Sequence, residues 1–186
     1  MKTIITSIKF TLFIGVFLFV SYVLVLWGFA ALVKHNHGES EVILLNNKVV
    51  GAANVGQLFT RAEYFWGRPS AVNYDGSASG ASNKAASNPI YLQEVEKRTE
   101  LFLIAHPYLE KSDIPSELVT ASASGLDPHI SPKAAEIQIR RVAEARGVSE
   151  EAIKKIVENQ THQPFMGRPY INVLALNVAL GNAANN

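Results

Sequence analysis

Residues 10–33 read FTLFIGVFLFVSYVLVLWGFAALV, twenty-four consecutive positions without a charge. As a helix rising 1.5 Å per residue this run is about 36 Å long, enough to cross a hydrocarbon core of about 30 Å with some tilt. Sixteen of the positions are Phe, Ile, Leu or Val, and their summed insertion free energy is on the order of −5 to −10 kcal/mol. That outweighs the cost of Thr11, Gly15, Ser21 and Gly28. A cleaved signal peptide would have an apolar region of about 7–15 residues closed by a small-x-small site. This run is longer, and Phe29-Ala30-Ala31-Leu32-Val33 is a poor site, so it reads as a transmembrane helix. Three segments follow: a short cytoplasmic N-terminus at 1–9, the span at 10–33 and an extracytoplasmic domain at 34–186.

The orientation comes from the flanks. Lys2, Lys9 and the α-amino group precede the span, whereas Lys34 and two histidines follow it, which places the N-terminus inside. Of the 17 Lys+Arg, 15 lie in residues 34–186 against all 16 Asp+Glu, a net charge of −1. A near-neutral domain has no electrostatic footprint for nucleic acid. With no cysteine there is neither a disulfide nor a thiolate zinc site. His35-x-His37 offers only two ligands on a polar connector, so no metal is expected.

The remainder alternates β-leaning and helical segments, a mixed α/β domain. Val42–Leu45 and Lys48–Gly51 flank Asn46-Asn47 as a hairpin. Residues 73–88, rich in Ser, Gly, Ala and Asn, read as a long surface loop. A helix is expected from Pro89 to about Ile104, ended by Pro107. Val119–Ala123 reads as a buried strand leading into the turn Gly125-Leu126-Asp127-Pro128. Ser131-Pro132 caps a further helix bearing Glu136, Arg140 and Glu144 at i, i+4 spacing. Gly147 ends that helix and Ser149 caps the next, whose core face is Ala152, Ile153, Ile156 and Val157. Ile171–Leu180 is a last apolar strand or buried element.

No phosphate loop, H-E-x-x-H or G-x-S-x-G motif is present; these are the usual sequence marks of nucleotide, zinc-protease and serine-hydrolase chemistry. Ser122 or Ser124, His129 and Asp127 supply the residue types of a hydrolase triad, but crowded into one turn. Residues 134–158 have the outline of a helix-turn-helix, yet the second helix carries Glu150, Glu151 and Glu158 against Lys154 and Lys155, which repels phosphates. An α-hairpin packed on a sheet is the simpler reading. Two segments rhyme, Phe65-Trp66-Gly67-Arg68-Pro69 and Phe165-Met166-Gly167-Arg168-Pro169. In each, arginine either clamps a partner group or bonds the carbonyls of its own corner.

At these residues a family resemblance appears. The matching stretches are Val50-Gly51 to Gly56-Gln57-Leu58-Phe59, Tyr64 to Ala71, and Ala86-Ser87-Asn88-Pro89. The most specific is residues 115–132, PSELVTASASGLDPHISP, continued by Ala134-Ala135, Gln138, Arg141-Val142-Ala143 and Ala145-Arg146-Gly147, with Asn172-Val173-Leu174 to Asn177 closing the match. The chain resembles the C subunit of the Kdp high-affinity potassium-transporting ATPase of bacteria and archaea. It departs from the family pattern in having Arg168 where an acidic residue is often found, and in its short passage after the anchor.

The resemblance implies a non-catalytic subunit without a cofactor of its own. ATP and potassium are handled by the complex, whose other members are a channel-like potassium-binding subunit, a P-type ATPase subunit and a small single-span peptide. It also implies a catalytic chaperone that raises the ATPase subunit's affinity for ATP. Direct ATP binding through Gln138, Ser77 or Ser79 conflicts with an extracytoplasmic domain, so coupling through the anchor or docking over the potassium entrance is preferred. Residues expected at a partner interface or in a structural motif are Arg68, Pro69, Ser70, Asn88, Asp127, His129, Ser131 and Arg168. Gly15, Ser21 and Gly28 are where another membrane helix could approach closely.

Overall fold

The computed structural model describes residues 2–33 and 40–183; His35 and His37 lie outside the described residues. The chain divides into two compact units, Met1–Glu41 and Val42–Asn186.

The first unit is one helix, α1 (Lys2–Val33), which begins eight residues before the uncharged run. It is long and apolar enough to cross a membrane, and none of its residues is buried within the chain. Large apolar side chains surround it on all sides. Ser21 is accommodated by donating its hydroxyl to the Phe17 carbonyl one turn back, at 2.6 Å.

The second unit opens with the antiparallel hairpin β1 (Val42–Leu45) and β2 (Lys48–Ala52). Asn46 and Asn47 both take positive φ, 50° and 60°, the two left-handed residues that a type I′ turn requires and that asparagine tolerates. Residues 53–88 then run without helix or strand to α2 (Pro89–Ala105), where Asn88 caps the helix by accepting from the Ile90 and Tyr91 N–H groups. Two short 3₁₀ turns, Lys111–Asp113 and Ser116–Leu118, lead to β3 (His129–Ile130).

Helices α3 (Pro132–Glu136), α4 (Ile139–Arg146) and α5 (Glu150–Asn159) follow. They precede β4 (Thr161–His162), β5 (Tyr170–Asn172) and α6 (Val173–Ala183). The second sheet is antiparallel with order β3-β5-β4. Around β5 a single core gathers Phe65, Phe102, Ile130, Val142, Ile153, Ile171 and Leu176.

Two expectations are corrected, and one left open between strand and buried element is resolved. Val119–Ala123 is not a strand. Its backbone bonds form no ladder: the Thr120 N–H closes a local turn on Ser116 and the Ser122 N–H makes one isolated bond to the Pro69 carbonyl. Apolar content there reflects burial of Leu118 and Val119, not sheet pairing, an ambiguity inherent in short apolar runs. The helix expected after Ser131 is two helices, broken at Ile137 and Gln138. Glu136 therefore pairs with Lys133 at 3.4 Å, while Arg140 pairs with Glu144 at 2.9 Å. Ile171–Leu180 is the end of a strand followed directly by a helix.

Candidate functional site

Phe65 and Trp66 lie in a stretch without helix or strand, so their backbone polar groups need other partners. Two buried amides supply them. Asn177 accepts from the Phe65 N–H at 2.8 Å and donates to its carbonyl at 3.0 Å. Gln138 does the same for Trp66, at 2.8 and 3.1 Å. The Gln138 amide also donates to Ala134 and its oxygen also accepts from Arg141. At 0% exposure it has no free polar valence, and no part of it faces a ligand.

Arg141 completes this polar core. Its guanidinium lies 4.2 Å from the Trp66 ring centroid and donates to the carbonyls of Ala62 and Tyr64 and to His106 Nε2. No carboxylate pairs with it among the described residues. Burial pulls its pKa down to about 10, so it stays charged at neutral pH. His106 is fully buried and stacks on Phe102 at 4.0 Å. Because Nε2 accepts from Arg141, Nδ1 carries the proton and donates to the Phe102 carbonyl at 2.8 Å. Burial first, with the nearby guanidinium, lowers its pKa to about 4 despite that hydrogen bond.

From this anchorage the chain turns outward at Gly67, and Arg68 donates from Nη1 to Asp127 Oδ2 at 2.9 Å. The other Asp127 oxygen accepts from the His129 N–H at 3.0 Å and lies 3.6 Å from its Nδ1. The His129 ring and main chain, together with Arg68, hold the Asp127 carboxyl down at about 2. Arg68 Nε is shielded from solvent and unpartnered. Beside this pair opens a shallow cleft of about 510 Å³, lined by Asn54, Arg68, Ser79, Ser122, Ser124 and Asp127.

The loop at 73–88 is sewn onto the rim of that cleft. The Gly80 N–H and the Ser79 hydroxyl both donate to the Ser124 carbonyl. Ser70 holds the loop's start by accepting from Val72 and Tyr74 N–H groups. Gly125 permits the close approach: its φ is +68°, and an added Cβ would lie 2.7 Å from the Gly80 oxygen.

The sequence-predicted residues thus separate. Arg68, Pro69, Ser70, Ser79, Asp127 and His129 are brought together. Ser131 instead caps α3 and donates to Glu117. Ser77 closes a local turn on Asp75, Asn88 caps α2, and Arg168 is exposed on another loop. Among the described residues no serine hydroxyl bonds His129; its ring packs on Tyr170 at 4.6 Å, so the hydrolase triad is not assembled. The α4–α5 pair buries Ile153 and Val157 against the core and presents Glu150 and Glu151 outward, which does not suit a DNA-reading helix. His106 and Asn177 were not among the expected site residues. The available signal was a polar residue within an apolar run, as in Val173-Leu174-Ala175-Leu176-Asn177-Val178.

Comparison with known proteins covers almost every element described. The family model described as K+-transporting ATPase, c chain, matches residues 4–182. The potassium-transporting ATPase KdpC subunit of Bacteroides fragilis is 52% identical over 190 residues, with 100% of both chains covered. That of Flavobacterium psychrophilum is 53% identical over 181 residues, covering 97% of this chain and 98% of the relative. That of Caldanaerobacter subterraneus is 45% identical over 177 residues, covering 94% and 92%. With α1, the polar core and the Arg68–Asp127 cleft all inside the matched range, this chain belongs to the KdpC family, the c chain of K+-transporting ATPases.

Proposed function

We propose that this chain is the non-catalytic accessory subunit of an ATP-driven potassium uptake pump, anchored by α1 with its N-terminus in the cytoplasm and its domain outside. The observation that carries the reading is the full-length match, which takes in the transmembrane helix as well as the domain. The partners are the channel-like potassium-binding subunit, the P-type ATPase subunit and the small single-span subunit. The chain stabilises their assembly and raises the ATP affinity of the ATPase subunit.

The geometry supports a role without chemistry of its own. Gln138 has every polar atom committed inside the core, and Ser77 and Ser79 bond their own chain. ATP affinity is therefore altered through subunit contacts. In the membrane, Ser21 and Gly28, seven positions apart, share one side of α1, and Gly15 lies about a third of a turn round from them; each is a small residue at which a partner helix packs closely. Outside, the Arg68–Asp127 cleft with His129 at its edge is the polar surface offered toward the potassium entrance.

Co-purification tests the assembly: a tagged chain should bring down three other membrane polypeptides, and isolation of the chain alone would refute it. Orientation is tested by single-cysteine labelling, since the chain has no native cysteine. Labelling of Ser124→Cys by an impermeant reagent from the outside is expected, and labelling only from the cytoplasm would overturn the topology. Complexes assembled without the chain should require more ATP for half-maximal hydrolysis.

A further inference from the structure

The loop joining β4 to β5, residues 163–169, reads QPFMGRP and carries two large apolar side chains exposed to solvent. Phe165 is 102% exposed and Met166 83%. Pro164 and Pro169 stiffen both arms. Gly167, at φ +115°, lets the chain reverse at the tip without a side chain there. Apolar groups held out on a stiffened loop are not an accident of incomplete burial, since the same loop could turn with polar residues.

We infer that this tip is a second, interfacial membrane anchor, with Phe165 and Met166 entering the headgroup–acyl boundary of the leaflet that the domain faces. The chemistry is layered along the loop as such an anchor requires. An aromatic ring and a thioether form the point, and Arg168 stands beside them. His162 and Tyr170 pair at the base, with Tyr170 packed between His162 at 4.8 Å and His129 at 4.6 Å. Amphipathic rings of this kind favour the headgroup level.

Charge selects the occupant. No Asp or Glu follows Glu158, so the formal side-chain charge at the tip is the single guanidinium of Arg168, which suits anionic lipid. Connectivity supplies the rest. Residues 34–41 separate the end of α1 from β1, and eight residues reach less than about 30 Å even when fully extended. A contact too weak to recruit a free domain is sufficient for one tethered at an effective concentration on the order of millimolar. The leaflet is whichever one the domain shares, so the inference is independent of the orientation proposed above.

The test uses the full chain with Met166→Cys as its only cysteine, carrying a nitroxide, in vesicles of phosphatidylcholine with phosphatidylglycerol. The label should be relaxed by oxygen in preference to an aqueous nickel chelate, at a depth of about 5–10 Å. The same label at Glu136→Cys, exposed on α3, should show the reverse. Equal nickel access at both positions would overturn the inference. So would loss of access to both relaxants at Met166→Cys in the assembled pump, which would put the tip against protein. Adding Arg168→Glu should make the label shallower; an unchanged depth would overturn the selection of anionic lipid by charge.

Discussion

Phe65-Trp66-Gly67-Arg68-Pro69 and Phe165-Met166-Gly167-Arg168-Pro169 differ at one position in five and end in opposite environments. Phe65 is completely buried, whereas Phe165 is completely exposed. The first segment has its backbone gripped by Asn177 and Gln138, its tryptophan under Arg141 and its arginine on Asp127. For the second, among the described residues, no backbone hydrogen bond or ion pair is formed by residues 165–168. Even the corners differ: Gly167 takes φ +115°, whereas Gly67 does not enter the positive-φ region. Burial is set by polar side chains more than 70 positions away in the chain.

The comparison breaks most visibly at the two phenylalanines. Phe65→Ala should cost about 3–5 kcal/mol of stability, because it empties a closed core site. Phe165→Ala should change stability by no more than about 0.5 kcal/mol. Urea unfolding of the detergent-solubilised chain, followed by near-ultraviolet circular dichroism, measures both; equal costs would sink the contrast.

Acid should act on the first region alone. His106 titrates at about 4 in the fold against 6.5 when free, so between those values the unfolded chain binds more protons. Stability is then complete above pH 6.5 and declines as pH falls toward 4, by about 3 kcal/mol in all. The His106 ring resonances should stay neutral at pH 5 while the unfolding midpoint drops. A protonated ring at pH 5 would contradict the buried neutral tautomer.

Asn177→Leu keeps the bulk and removes the amide, leaving the Phe65 N–H and carbonyl unpaired. A cost of about 2 kcal/mol is expected, read from the same unfolding curves, and a neutral result would show that the amide clamp is dispensable. The smallest effect separates the two arginines. Arg68→Gln should lose about 1 kcal/mol, given a half-buried pair open to water, and the Asp127 carboxyl should titrate nearer its ordinary value of 3.8. Carbon-13 NMR of the carboxyl follows that directly. Arg168→Gln should leave both unchanged.

Much of the local structure was legible in the residues. Asn46-Asn47 demanded a hairpin turn, Asn88-Pro89 and Ser131-Pro132 demanded helix starts, and Gly147 with Ser149 demanded the break between α4 and α5. Each rests on backbone geometry or capping within four residues, which sequence displays openly. Val119–Ala123 misled because a short apolar run reports burial and says nothing of hydrogen-bond direction. The candidate site was half legible. Asp127, His129 and Arg68 announced themselves by chemistry, but their pairing across 59 positions did not.

The residues alone were enough for a helix long and apolar enough to cross a membrane, through 24 uncharged positions, and for the family, through a run too specific to arise from composition. Only the tertiary structure decided which of two nearly identical segments is core and which is surface. It also decided that Gln138 is a structural clamp rather than a ligand contact. Hydrogen-bond satisfaction is a property of what surrounds a group after folding, and no local pattern encodes it.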